Sequence, residues 1–365
     1  MKSQKEQSTF FAILSLGYGG AEKRITEIAS AYLSKSQGYL LINGEQKVAS
    51  QRKDQTKTAI SNLEKNHQLI ATPIPRIKSV TFRRLTSLLL ASFELLKKRP
   101  SHTHLALGAI LLAPIAKLTR SHVTIEITSP DNANFVQKFK NVILPFTDNI
   151  IYVSESIRIS LNTNIKIPAR IKQDVYAHPF FKIRQLPDIK KERLVTFCAR
   201  LIPRKNGILF ARSIKLALET TDTPFEVAII GDGPDRPYIE EILKQEIDDG
   251  RVTVGPSPNP TDIINRSSVF VSLIQPENYP SQSILEAMNC QNYLILSNSP
   301  LSTRFMQDNG ITVALNEESV ASEIIQAMRD IDKTTESGKN SLEFLRSAYS
   351  SDLIIHQLRA LHSKA

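Results

Sequence analysis

Short apolar runs alternate with amphipathic stretches along most of the chain. In the first half the runs Phe10–Leu16, Tyr39–Asn43, Thr103–Leu107, Val123–Ile127 and Asn149–Val153 predict strands. Between them Ala21–Leu33, Phe82–Lys98, Ala109–Leu118 and Ser154–Leu161 carry helical periodicity. The second half repeats the scheme, with strands expected at Leu194–Ala199, Glu226–Ile230, Val252–Val254, Val269–Leu273, Tyr293–Leu296 and Thr312–Ala314. Helices are expected there at Asn206–Leu218, Arg236–Gln245, Thr261–Asn265, Ser283–Met288 and Ser319–Ile331. Such alternation predicts an α/β architecture with parallel sheets covered by helices on both faces.

At 365 residues the chain exceeds what one hydrophobic core usually serves, so two such units are expected. The join falls near Phe180–Lys191, where Pro179, Pro187 and mixed charges interrupt the periodicity. The expected domains are 1–187 and 188–349, with 350–365 as a closing helix. Ser50–Lys65 is polar and rich in Lys, Gln and Thr, and reads as a mobile loop.

Composition changes this picture little: 41% hydrophobic and 22% charged residues exclude wholesale disorder, collagen-like repeats and coiled coil. Two cysteines, Cys198 and Cys290, exclude a disulfide framework and read as buried reduced thiols. The longest apolar run, Leu105–Ala116, contains Pro114 and is 12 residues long, short of the ~20 a membrane span needs. Lys2 and Lys5 before Thr9–Leu16 loosely mimic a signal peptide. The glycines and charged helical pattern that follow favour a first buried strand and a cytoplasmic protein.

Charge is more telling. Residues 1–187 hold 27 Lys and Arg against 12 Asp and Glu, while the remainder is mildly acidic. A basic half joined to an acidic half suggests an anionic partner for one domain only, or a solvated basic face. Lys78–Arg99 mixes Arg83, Arg84, Lys97, Lys98 and Arg99 with leucines and Phe93. It reads equally as a membrane-surface helix or as a core-facing helix with a basic rim.

Four segments sit where strands run into loops and helices. Ser15–Glu22 contains Gly17, Gly19 and Gly20 ahead of a helix, and fits a close backbone approach to an anion or a plain tight turn. Its spacing is not the dinucleotide G-x-G-x-x-G. Ala199–Gly207 places Arg200 at a strand end and Lys205 ahead of the next helix, a pair able to neutralise a diphosphate or simply two solvated cations. Ile230–Asp235 is a glycine turn that fits a nucleobase-facing loop or a structural turn. Gln275–Met288 offers Ser281 or Ser283 as a helix cap facing a phosphate, and Glu286 one turn on, able to accept from a ribose diol or to lie on a helix surface.

Together these segments resemble the GT-B glycosyltransferases, specifically retaining family 4 (glycosyl transferases group 1). The residues that carry the resemblance are Ala199-Arg200-Leu201 with Lys205-Asn206-Gly207, then Gly231-Asp232-Gly233-Pro234, then Arg251–Gly255. Asn278-Tyr279-Pro280-Ser281 ending in Glu286-Ala287-Met288, and Gly19-Gly20-Ala21-Glu22, complete the set. The resemblance implies two Rossmann-like domains about a cleft, with a last helix crossing back to the first domain. It implies that Arg200 and Lys205 hold the donor diphosphate and stabilise the leaving nucleotide. Glu286 would bind the ribose; Gly231, Asp232 and Gly255 would border the base; Gly19, Gly20, Glu277, Asn278, Tyr279, Ser281, Gln282 and Ser283 would complete the donor site. No metal or cofactor is expected.

The chain departs from the family pattern at Asn278, where the first glutamate of a pair is usual, although Glu277 adjoins it. The family's first-domain histidine is also absent; Asp131 would replace it near the reacting centre, or cap a helix. The expected function is glycosyl transfer with retention from a nucleotide diphosphate sugar to a glycan or lipid-linked acceptor. The expected setting is cell-surface polysaccharide or lipopolysaccharide synthesis, at the inner face of the plasma membrane. The alternatives are a non-catalytic nucleotide-sugar binding subunit and a sugar-nucleotide epimerase of the same fold. Nucleic-acid binding is disfavoured, because no aromatic platform is interleaved with the basic residues.

Overall fold

The structure is a computed structural model of the chain. It describes residues 8–15, 20–51, 54–74, 79–176, 179–180, 186–187, 189–275, 281–299, 302, 306 and 308–363. The chain forms two compact units. Unit 1 comprises the residues up to Pro179 together with those from Ser351 onward, and unit 2 spans Phe180–Ser350.

Unit 1 is built on seven parallel strands: β1 (Thr9–Leu14), β2 (Gly38–Asn43), β3 (Leu69–Thr72), β4 (His102–Leu107), β5 (His122–Ile127), β6 (Asn149–Tyr152) and β7 (Lys172–Val175). Their spatial order is β3-β2-β1-β4-β5-β6-β7, so the order reverses between β1 and β4, where an open α/β sheet leaves a crevice. Helices are α1 (Gly20–Leu33), α2 (Gly44–Gln51), α3 (Asp54–Lys65), α4 (Val80–Lys98), α5 (Ala113–Leu118), α6 (Pro130–Lys138), α7 (Lys140–Ile143) and α8 (Glu155–Asn164). All six residues of β1 are buried, which is why it reads as an unbroken apolar run.

Two strands and a helix were not legible as such. The edge strands β3 and β7 are mostly half-buried; β3 is Leu-Ile-Ala-Thr, an apolar run too short to stand out, and β7 is Lys-Gln-Asp-Val. The polar Ser50–Lys65 segment, expected as a mobile loop, is largely helical. Within α3, Ile60 and Leu63 lie one turn apart and are both buried, and the helix packs on α1.

α1 is fixed to the sheet by a fully buried cation. Arg24 donates from Nε to Glu126 Oε1 at 2.6 Å and from Nη2 to the Tyr176 carbonyl at 2.9 Å. The other Glu126 oxygen lies 2.8 Å from His104 Nε2. Burial alone would raise the Glu126 carboxyl, but Arg24 and His104 outweigh it and hold it down at about 2.

Unit 2 contains β8 (Glu192–Cys198), β9 (Glu226–Ile230), β10 (Val252–Gly255), β11 (Ser267–Ser272), β12 (Tyr293–Ser297) and β13 (Gly310–Val313), all parallel in the order β10-β9-β8-β11-β12-β13. Its helices are α9 (Gly207–Thr220), α10 (Arg236–Ile242), α11 (Lys244–Asp248), α12 (Pro260–Arg266), α13 (Gln282–Asn289), α14 (Glu317–Arg329) and α15 (Ile331–Tyr349). Phe197 stacks on Phe210 at 4.9 Å between sheet and α9, at the centre of this core. Cys290 is buried and Cys198 half-buried, and burial pushes both thiols up to about 12.

The final helix, α16 (Ser351–Ser363), returns to unit 1 and packs on α1. It buries Ile354, Ile355, Leu358 and Leu361. His362 lies 3.0 Å from the Tyr32 hydroxyl and stacks on His102 with ring centres 5.1 Å apart. The His102–His104 pair thus packs the sheet face under α1 and α16.

Candidate functional site

In unit 2 the C-terminal ends of β10, β9, β8 and β11 lie side by side, and the candidate residues emerge there. After β8 the chain is held on one flank by β9: Ala199 N donates to the Ile230 carbonyl at 3.0 Å and Leu201 N to the Asp232 carbonyl at 2.9 Å. On the other flank Asn206, in the left-handed region at φ 56°, donates from Nδ2 to the Leu273 carbonyl at 2.7 Å, and Gln275 N donates to the Arg204 carbonyl at 3.0 Å. The loop carrying Arg200, Arg204 and Lys205 is therefore clamped from both sides.

Lys205 is half-buried and Arg200 and Arg204 are exposed. Burial first, then the charges of Arg204 and Arg200, pull the Lys205 ammonium down to about 8. Among the described residues none of these three cations has an ion-pair partner. Three cations held together with no ion-pair partner among those residues form a ready anion site.

Gly231 and Gly233 shape the neighbouring turn. At φ 153° and 152° both have backbones that disfavour side chains, and a Cβ on Gly231 would meet the Ala199 carbonyl oxygen at 1.9 Å. Gly231 N donates to the Gly255 carbonyl at 3.0 Å, which joins β9 and β10 at this rim. The Asp232 side chain is exposed and accepts from Gly233 N at 3.0 Å. Arg236 lies against Gly255 and 3.7 Å from Asp232.

Ser281 is the N-cap of α13, its Oγ accepting from Ile284 N at 3.4 Å, and the Ser283 hydroxyl lies 2.9 Å from it. Gln282 opens the helix. One turn on, Glu286 accepts a hydrogen bond from the Thr261 hydroxyl. Its carboxylate lies near enough to Cys198, at the end of β8, to add to burial in raising that thiol. The fold therefore gathers Arg200, Lys205, Gly231, Asp232, Gly255, Ser281, Ser283 and Glu286 at one end of one sheet. Glu277, Asn278 and Tyr279 lie outside the described residues, as does Gly19, while Gly20 begins α1.

In unit 1 a cavity of about 370 Å³ opens at the ends of β1, β2 and β4, at the strand-order reversal. Leu14, Leu88, Leu107, Leu111 and Phe135 give it apolar walls; Arg84, Asp131 and Asn132 are its polar fringe. Leu107 has φ 53° and ψ −135°, an unfavourable backbone for a bulky residue, at the point where β4 meets the cavity. Asp131 is exposed and lies in the first turn of α6. The capping role weighed for it belongs to Ser129, whose Oγ accepts from Asn132 N at 3.2 Å. Sequence patterns missed Thr261, Arg236 and the strained Leu107, because each acts through tertiary placement and none belongs to a motif.

Among the described residues no group of three or more His, Cys, Asp or Glu is placed to hold a metal ion. No helix among them is long and apolar enough to cross a membrane.

Residues 192–330 match the family model described as glycosyl transferases group 1. No curated protein matches the sequence. Solved structures match over nearly the whole chain. A glycosyltransferase from Rickettsia africae ESF-5 is 15% identical with a TM-score of 0.75, covering 99% of this chain and 98% of that one. Anabaena Alr3699/HepE in complex with UDP is 15% identical with a TM-score of 0.73, covering 98% and 100%. S. aureus TarM, as a mutant in complex with Fondaparinux, alpha-GlcNAc-glycerol and UDP, is 13% identical with a TM-score of 0.68, covering 98% and 99%. The fold is that of the GT-B glycosyltransferases, two parallel-sheet domains of seven and six strands. A match to glycosyl transferases group 1 over residues 192–330, on this fold, supports a glycosyltransferase.

Proposed function

We propose that the chain moves a sugar, with retention, from a nucleotide diphosphate sugar held on unit 2 to a glycan or lipid-linked acceptor on unit 1, as a member of family 4. The observation that carries this reading is the clamped cluster of Arg200, Arg204 and Lys205 at the end of β8, which has no ion-pair partner among the described residues. Breaking the bond from the anomeric carbon to the diphosphate leaves negative charge on phosphate oxygens, and preorganised cations stabilise it as it develops. The acceptor oxygen bonds to the anomeric carbon on the same face, and its proton passes to the departing phosphate. No metal is required in this scheme, since Arg200 and Lys205 supply the positive charge.

Glu286, already oriented by Thr261, accepts from the ribose diol. Gly231, Asp232 and Gly255 border the base, and the amides and hydroxyls at Ser281, Gln282 and Ser283 face phosphate; the resemblance assigns Gly19 and Gly20 to the same donor site. Asp131, which lines the cavity, would serve as a polar group beside the acceptor. The UDP complexes of the Anabaena and S. aureus proteins make a uridine diphosphate sugar the first donor to try. The setting that suits a basic acceptor domain is cell-surface polysaccharide or lipopolysaccharide synthesis at the cytoplasmic face of the plasma membrane.

The test is a thermal-shift panel of UDP, GDP, ADP and CMP with their sugar conjugates, on wild type and Arg200→Ala. A ligand at 100 times its dissociation constant stabilises by about 2.7 kcal/mol. Stabilisation by one nucleotide family that Arg200→Ala loses supports the donor site; no shift with any nucleotide overturns it. Donor binding without transfer or hydrolysis would instead favour a non-catalytic subunit, the reading that Asn278 invites. The anomeric configuration of the product, read by NMR, decides retention.

A further inference from the structure

α4 is amphipathic in the reverse of the usual sense. The residues it buries are Ser87, Ala91 and Leu95. Small side chains there let the helix sit close on the sheet. Its largest apolar residues point outward: Phe82, Leu85, Leu89, Phe93 and Leu96 are 53, 51, 64, 62 and 43% exposed. At 100° per residue these five fall within an arc of about 80°, opposite the buried face, along a helix about 28 Å long. This is a continuous apolar ridge, where a solvated helix would carry its polar residues.

Cations flank the ridge. Lys97 and Arg99 stand at its two borders, exposed and with no ion pair among the described residues, whereas Arg83, Arg84 and Lys98 lie toward the sheet side, Arg83 paired with Glu45 and Lys98 4.0 Å over the Tyr39 ring. Glu94 is the single acid on the helix. The half of the chain that bears α4 is also the half that holds 27 basic against 12 acidic residues. An outward apolar ridge with a basic border on a basic domain is complementary to an anionic bilayer: the ridge enters the acyl boundary and the cations meet the headgroups.

We infer that α4 is the membrane-docking face of unit 1, and that it presents the enzyme to an acceptor resident in an anionic bilayer. The same helix walls the cavity, with Arg84, Ser87 and Leu88 turned to it. An acceptor whose lipid stays in the bilayer therefore meets the cavity across the width of one helix. The inference deepens the reading above by naming the surface on which its acceptor lies.

The test is co-sedimentation of the full chain with phosphatidylcholine vesicles, with and without phosphatidylglycerol, at low and high salt. The variants are the triple F82S/L89S/F93S, the single Lys97→Glu, and Ile159→Ser as an exposed apolar control on α8. Wild type and Ile159→Ser should bind the anionic vesicles and release in high salt. The triple variant should lose at least about tenfold in bound fraction, and Lys97→Glu should bind more weakly. The triple variant should keep wild-type thermal stability and nucleotide response, because its side chains face outward. Equal sedimentation of wild type and triple variant overturns the inference. So does a wild-type dimer that the triple variant dissolves without either binding vesicles, since a second copy would then cover the ridge. Vesicle binding without a nucleotide shift leaves docking standing and the proposed transfer rejected; a nucleotide shift without vesicle binding does the reverse.

Discussion

The position a Cβ would take on Gly231 lies 1.9 Å from the carbonyl oxygen of Ala199. The loop after β8, with its cations, and the turn after β9 thus approach at a distance only glycine permits. Gly231→Ala must push them apart in a backbone region that already disfavours side chains. It should cost about 2–4 kcal/mol and weaken nucleotide binding. Gly250→Ala is the control: it shares a positive φ of 74° but meets nothing within 4 Å, so a cost near 1 kcal/mol is expected. Thermal melts of both, with and without nucleotide, check the contrast.

Lys205 is the cation of the cluster whose charge depends on pH just above neutrality. Its ammonium, pulled down to about 8 by burial and by Arg204 and Arg200, loses its charge above that pH. Affinity for a nucleoside diphosphate should fall from pH 7 to 9 in wild type. The fall should flatten in Lys205→Arg, whose guanidinium stays charged. The ligand-free protein responds in the opposite direction. Between pH 8 and 10 the unfolded chain holds a proton that folded Lys205 has released, so this group's contribution to stability rises with pH. Calorimetric binding and melting series separate the two.

The buried pair Arg24–Glu126 gives a test of unit 1 alone. Arg24→Ala leaves a buried carboxylate without its guanidinium and should cost about 3–5 kcal/mol. Glu126 is depressed to about 2, below its unfolded value of 4.5. Its stabilising contribution is therefore complete above pH 4.5 and fades as pH falls toward 2. Glu126→Gln should lower stability at neutral pH and make the acid limb shallower in that window.

Acid should also act on the seam under α16. His102, held down to about 4 by burial and by His122, and His362, also lowered mainly by burial, remain neutral in the folded state well below pH 6.5. The unfolded chain takes up those protons first, so stability should fall as pH drops from 6.5 toward 4. His362→Phe, which keeps an aromatic ring against Tyr32, should reduce that slope. Melting temperatures across this range test it.

The fold was legible wherever strands are covered on both faces. The six strands of unit 2 and five of unit 1 announce themselves as apolar runs such as Phe10–Leu16. β3 and β7 lie at sheet edges and are only four residues long; β7 also shares its polarity with loops, so Lys172–Val175 gives no local signal. α3 hangs on Ile60 and Leu63 alone, too little apolar content to outweigh its polar residues. In the site, Arg200, Lys205, Gly231 and Glu286 were visible because each follows a strand at a recognisable spacing. Their adjacency comes from the order β10-β9-β8-β11, which is set by packing between distant segments. The reversed face of α4 was ambiguous for the same reason: periodicity defines a stripe but not which side meets the sheet.

The return of α16 to unit 1 has a consequence for synthesis. Tyr32 and Phe11 belong to β1 and α1, yet part of their cover, His362, lies 330 positions after Tyr32 and on the far side of unit 2. While a nascent chain is still tethered to its ribosome, unit 2 can be complete and folded when unit 1 still exposes the seam that α16 will close. Unit 1 is thus begun before unit 2 and closed after it, and the seam left open in the interval is where a chaperone would find this protein.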